Sequence, residues 1–210
     1  MSTVSTGVNQ PPKAAWDGNP PQAAAARARL LAATSRCIAR DGLAATSVAA
    51  VAAAAGVSRQ TVYRYFVGRD ELAKTAIFAA AGELRGKIVS HVASLRDPAD
   101  IIVEALVLGL AEIRSGPVLR AIWDSASPDG LVAEIFTEPG GIAWIRQALA
   151  RAVASARWNE VEANSAMEFI LRIGLSLLIS APPERSDEEL RAFLYRHLIP
   201  GLGLAASDES

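Results

Sequence analysis

The chain has 210 residues and a mass of 22.1 kDa, enough for one large domain or two small ones sharing a core. Hydrophobic residues make up 51%, but 42 residues are alanine, which adds helix propensity more than apolar bulk; aromatics are only 6%. No alternating run of β-branched residues suggests a strand, so the fold class is read as all-α, and the net charge of -1 gives no overall attraction to a polyanion.

Residues 1–21 hold four prolines, two glycines and no apolar h-region, which reads as a disordered arm of a cytoplasmic protein rather than a signal peptide. One cysteine, Cys37, leaves no internal disulfide and is expected to be a small core residue. His91 and His197 lack metal-ligand spacing, so neither a metal nor a cofactor is expected, and both are read as surface or interface residues. The one stretch apolar enough to suggest a membrane, 161–180, is interrupted by Glu162, Glu168 and Arg172, which argues against a membrane partner.

Charge is segregated along the chain. Residues 22–90 carry ten basic against four acidic groups, whereas residues 91–210 carry ten arginines against seventeen acids. One end is therefore suited to a polyanion and the other is not.

Taken in order, residues 22–40 place Ala26, Leu30, Ala33 and Cys37 at helical spacing, with Gly42 as the stop. Ser47 then caps a short helix over Val48–Ala55, ended by Gly56, and Ser58 caps a second over 59–66. Two short helices across a tight glycine-containing turn have the helix-turn-helix spacing. Gly68 closes that unit. A longer helix begins at Arg69, Asp70 and Glu71 and runs through Ile77 and Leu84 toward Ile88 and Leu95, and another runs from Pro98 to Ile113. Glycine and proline punctuation divides the rest into helices near 117–125, 129–137, 140–157, 160–180 and 187–199, about nine helices in all.

Ser47-Val48, Ala54-Ala55-Gly56-Val57-Ser58-Arg59-Gln60-Thr61-Val62-Tyr63-Arg64-Tyr65-Phe66 and Arg69-Asp70-Glu71-Leu72 together resemble the DNA-binding domain of TetR-family transcriptional regulators, over roughly residues 24–72. The resemblance implies a helix-turn-helix domain over 22–68, a helical effector-binding and dimerisation domain over 69–203, and a short disordered tail over 204–210. It also implies a homodimer that binds double-stranded DNA and releases it when a small molecule binds.

The residues make chemical sense beside that likeness. A helix from Arg59 to Tyr65 in a major groove would present Arg59 to guanine and Gln60 to adenine. Thr61, Tyr63, Arg64 and Tyr65 offer hydroxyls and a cation to phosphate and sugar, and Ser47, Ser58 and Arg69 stand at helix starts where phosphates would pass. Val62 and Phe66 are expected to face inward, and Val48 to add nothing to specificity. Many family members carry a small residue or proline where Gln60 stands, so the operator is not transferable by analogy.

For the remainder, Phe78, Leu106, Leu110, Trp123, Phe136, Trp144, Met167 and Leu171 are candidate lining residues of a pocket for an apolar or aromatic effector, with ordinary core packing as the rival reading. The 160–180 helix is apolar on more than one face and so needs cover on both sides. Phe169, Ile173, Leu177 and Ser180, with Leu190, Phe193, Leu194 and His197 of the following helix, are the candidate dimer interface; a plain buried helix is the alternative. No phosphate loop, Glu-x-x-His pair or nucleophile elbow suggests an enzyme. Two other readings stay open: a helical carrier or enzyme with a vestigial DNA-binding domain, and a non-specific architectural DNA binder.

Overall fold

Local signals build the first three helices. In the computed structural model, which describes residues 20–124, 139–179 and 185–204, α1 (Pro20–Asp41) ends where Gly42 turns to φ 82° and its amide bonds the Ile38 carbonyl at 2.9 Å. Helix α2 (Val48–Ala55) starts at Ser47, whose Oγ accepts from the Ala50 amide, and stops at Gly56 in the left-handed region, φ 69°. Val57 follows, its amide closing onto the Ala52 carbonyl at 2.9 Å. Helix α3 (Arg59–Tyr65) begins at Ser58, whose Oγ accepts from the Thr61 amide at 3.1 Å.

These helices close a small core. Leu30, Ala33 and Cys37 of α1, Val48, Val51 and Ala52 of α2, Val62 of α3 and Phe66 meet Leu72 of α4 (Arg69–His91). Full burial of a side chain such as Phe66 or Leu30 contributes about 1.5–3 kcal/mol, which lets seven-residue α3 hold its shape although it is far too short to be stable alone. Gly68 supplies no side-chain cap for α4; Glu71 reaches back instead, its carboxylate accepting from the Val67 amide at 2.6 Å.

The body continues with α5 (Pro98–Ser115), α6 (Pro117–Asp124), α7 (Pro139–Ala148), α8 (Ala150–Ser155), α9 (Glu160–Ile179), α10 (Asp187–His197) and a 3-10 turn at Pro200–Leu202. Asp97 caps α5 by accepting from the Ala99 and Asp100 amides, and Ser186 with Glu189 forms a capping box at α10. Among the described residues there are ten α-helices and no strand, and no helix is long and apolar enough to cross a membrane.

The body core draws Leu84 and Ile88 from α4, Ile101 and Ile102 from α5, Met167 and Ile170 from α9 and Leu194 from α10. Helix α4 thus belongs to two cores, with Leu72 in the small one and Leu84 and Ile88 in the large one, roughly 24 Å apart along the rod for Leu72 and Ile88. A third cluster joins the halves: Ile38 of α1 packs with Ala76 and Ile77 of α4, and Val118, Ala121 and Trp123 of α6 lie against them.

Two expectations change. The helix expected over 140–157 is two, because the backbone at Leu149 leaves helical geometry (φ -104°, ψ 21°), and neither glycine nor proline marks the break. Helix α4 ends at His91 rather than running to Leu95: beyond it the amides of Ala93 and Leu95 bond three residues back, to the carbonyls of Ser90 at 3.4 Å and Val92 at 3.1 Å, in place of the four-residue helical step. The expected helix at 129–137, the arm before residue 20 and the tail after residue 204 lie outside the described residues.

Candidate nucleic-acid interface

Helix α3 is anchored on one side and presented on the other. Val62 is 0% exposed and Phe66, the residue that ends the helix, is buried beside it. Arg59, Gln60, Tyr63 and Arg64 are all exposed, Tyr63 by 55%, while Thr61 and Tyr65 are half-buried. Positions 59, 60, 63 and 64 lie together on one face of a helix. Seven residues span about 10 Å, which matches a major groove about 12 Å wide. Arg59 and Gln60 have no hydrogen-bond or ion-pair partner among the described residues, so their donors remain available.

The hydroxyl residues serve the helix itself. Ser58 Oγ lies 2.9 Å from Thr61 Oγ1 in addition to capping the Thr61 amide, and Ser47 caps α2 from an exposed position. Each keeps a rim location while already holding a structural bond. Val48 is buried, as its apolar character implied.

Arg69 is placed differently from the phosphate-facing role expected of it. Its Nε donates to the Thr46 carbonyl at 2.8 Å, and Nη2 donates to the carbonyls of Leu43 at 2.9 Å and Ala44 at 3.2 Å. The planar fork thereby ties the start of α4 to the turn preceding Ser47. Two arginines of α1 that the sequence did not single out also support the unit: the Arg27 guanidinium stacks 4.7 Å from the Phe66 ring, and Arg36 donates to the Ala54 carbonyl at 3.3 Å. Helical spacing placed them on α1 but could not show which element they would reach.

A cavity of about 80 Å³ lies within the body, bounded by α4, α5, α7 and α9. Four of the proposed effector residues line it: Leu106, Leu110, Trp144 and Leu171. Phe78 does not; it stands 62% exposed on α4. Trp123 packs at the α1–α4 joint and Met167 is consumed by the body core, so neither belongs to the lining, and Phe136 lies outside the described residues. Leu84, Ile88, Gly109, Ile113, Ile145, Ala148, Leu149, Ile170, Gly174 and Leu178 complete much of the wall and were missed. Nothing in an aliphatic residue's identity distinguishes a cavity wall from a filled core.

The proposed dimer residues divide by face. Phe169 is 37% exposed, His197 is exposed, and Ile173 and Phe193 are half-buried; the Phe193 ring lies 4.9 Å from the His197 ring and 4.5 Å from the Arg185 guanidinium. Leu177, Leu190 and Leu194 are corrections: they point into the protomer's own core, Leu194 at 0% exposure, because α9, which carries Leu177, and α10, which carries Leu190 and Leu194, both pack on α5. Ser180 lies outside the described residues.

Behind that face is a polar cluster that sequence reading did not find. Arg191 grips Glu104 through Nε at 2.5 Å and Nη2 at 3.0 Å, His91 Nε2 lies 3.2 Å from the same carboxylate, and the Tyr195 hydroxyl donates to Asp100 at 2.5 Å. Arg191 first, and His91 as well, hold the Glu104 carboxyl below its usual range against the opposing effect of burial. Burial first, then Asp100, pushes the Tyr195 phenol above its ordinary value.

A helix-turn-helix unit whose third helix turns a polar face outward, carried on an all-helical body, has the geometry that places a helix in a DNA major groove. Residues 30–76 match the family described as bacterial regulatory proteins, tetR family. An uncharacterized HTH-type transcriptional regulator of Mycobacterium tuberculosis is 26% identical over 172 residues, covering 82% of this chain and 83% of that relative. Among solved structures, the TetR family repressor AlkX from Dietzia, implicated in biodegradation of n-alkanes, superposes with a TM-score of 0.59 at 22% identity, over 84% of this chain and 95% of that one. The multidrug binding protein EbrR, complexed with imidazole, gives 0.58 at 24% identity, over 85% and 90%.

Proposed function

We propose that the chain is a cytoplasmic, non-enzymatic transcriptional repressor that binds a palindromic operator as a homodimer and releases it when a small apolar effector enters the body. The observation that carries this reading is the exposed face of α3, with Arg59, Gln60, Tyr63 and Arg64 outward and Val62 and Phe66 buried behind. Arg59 and Gln60 read base edges; Tyr63, Arg64, Thr61 and Tyr65, with the helix-start hydroxyls of Ser47 and Ser58, set register on the backbone. One seven-residue helix makes few contacts, so two copies on half-sites supply the affinity. Phe169, Phe193 and His197 form the face offered to the second subunit.

Release follows from the two-core placement of α4. An effector that favours a different spacing of the body helices shifts Leu84 and Ile88, and the same rod carries Leu72 and Arg69 in the DNA-binding domain. The neighbours AlkX, linked to n-alkanes, and EbrR, a multidrug binding protein, make an apolar effector a natural choice.

Fluorescence anisotropy with a palindromic duplex from the protein's own promoter region, set against random duplex at moderate salt, tests the reading. Preference for the palindrome is expected, together with a loss of at least roughly a hundredfold when Arg59, Tyr63 and Arg64 are all replaced by alanine in a protein with unchanged melting. Equal affinity for both duplexes identifies an architectural binder, and unchanged affinity in the triple variant removes α3 from the interface.

A further inference from the structure

The body cavity owes part of its space to two glycines within helices. Gly109 of α5 and Gly174 of α9 both line it. A Cβ added at Gly109 would meet Ile88 Cδ1 at 3.7 Å, and one at Gly174 would meet Leu106 Cδ2 at 3.5 Å, both ordinary van der Waals contacts. Neither position has a positive φ. Glycine inside a helix costs about 1 kcal/mol relative to alanine, and the fold has room for alanine at both places. The packing therefore does not require these glycines; the open volume does.

The wall chemistry restricts what can fill that volume. The described lining is aliphatic except for Trp144, and the one polar group this indole brings, Nε1, already donates to the Ala81 carbonyl at 3.1 Å. Four cations on the surrounding helices are committed as well. Arg85 donates to Gln147, Lys87 pairs with Glu112 at 2.5 Å, Arg114 donates to the Leu177 carbonyl at 2.9 Å, and Arg172 pairs with Glu168 at 2.6 Å. A carboxylate or ammonium brought here would surrender its hydration without a free partner.

We infer that the space between Gly109 and Gly174 is a binding site for a free, uncharged hydrocarbon, bound without a polar anchor. This deepens the effector reading above and rests on it for its regulatory meaning, though not for the binding itself.

The test uses the full chain and follows thermal unfolding under n-hexane vapour or in sodium hexanoate at neutral pH. Wild-type protein is expected to melt higher with n-hexane and to be unmoved by hexanoate. Gly109→Ala/Gly174→Ala is expected to melt higher than wild type without ligand, because both helices improve, and to lose the n-hexane shift, because its space is filled. That pairing of greater stability with lost binding is not what a purely structural glycine pair produces. A hexanoate shift as large as that of n-hexane overturns the inference, as does a wild-type protein unmoved by n-hexane or an n-hexane shift surviving in the double variant. Operator affinity without ligand is measured in parallel: its failure removes the DNA-binding reading and leaves the hydrocarbon site standing, whereas loss of the hydrocarbon response with operator binding intact removes only the site.

Discussion

Arg69 and Thr46 are 23 positions apart in the chain, yet the guanidinium Nε of one donates to the carbonyl of the other at 2.8 Å. The bond pins the N-terminus of α4 to the turn that launches α2. Any motion of α4 therefore reaches the helix-turn-helix through a directed contact as well as through the apolar core around Leu72.

Replacing Arg69 by alanine is expected to cost about 1–2 kcal/mol of stability, since three main-chain oxygens lose a charged donor at a partly exposed site. Arg69→Lys recovers only part of this, because an ammonium cannot reproduce the planar fork. Urea unfolding of the three proteins checks the order wild type, lysine, alanine.

Within α3 the outward residues are expected to separate into two kinds. Arg59→Ala and Gln60→Ala should each lose about 1–3 kcal/mol of discrimination at one operator position, and Arg64→Ala should weaken all sequences alike while lowering the salt slope by about 1. Binding titrations over single-base operator variants at several salt concentrations distinguish these outcomes. Uniform losses for all three variants would leave α3 without a role in base reading.

Ser58 begins α3 by accepting the Thr61 amide at 3.1 Å, and Ser58→Ala should destabilise the small domain by about 1 kcal/mol. Hydrogen exchange of the Thr61 amide is the direct readout, with faster exchange expected in the variant.

Acid should act partly through Glu104. Its folded carboxyl lies below the ordinary value of 4.5, so the stability it contributes is complete above that pH and is lost as pH falls through the lowered folded value. Glu104→Gln should cost about 1–2 kcal/mol at neutral pH and flatten this acid loss, as urea unfolding between pH 7 and about pH 3 would show. Tyr195 has the opposite dependence: its phenol is raised, so its contribution is present below the ordinary value of 10.0 and is lost as pH climbs above it.

What the amino-acid order alone determined is the set of short-range features. Ser47, Gly56 and Ser58 act within four residues of themselves, and the spacing of Leu30, Ala33 and Cys37 marks a buried stripe, so the helix-turn-helix and the outward placement of Arg59 and Gln60 were legible before any coordinates. Only the tertiary structure decided matters that depend on a distant partner. Arg69 had the right charge for phosphate but folded onto carbonyls more than twenty positions away, and Leu190 and Leu194 had the right spacing for an interface but turned into their own core. Phe78 looked like a pocket wall and is exposed, while Gly109 and Gly174, which no chemical pattern marks, border the cavity. A cap or a period is written in neighbouring residues, whereas a void is defined by what four separate helices fail to fill, and that is set only when they pack together.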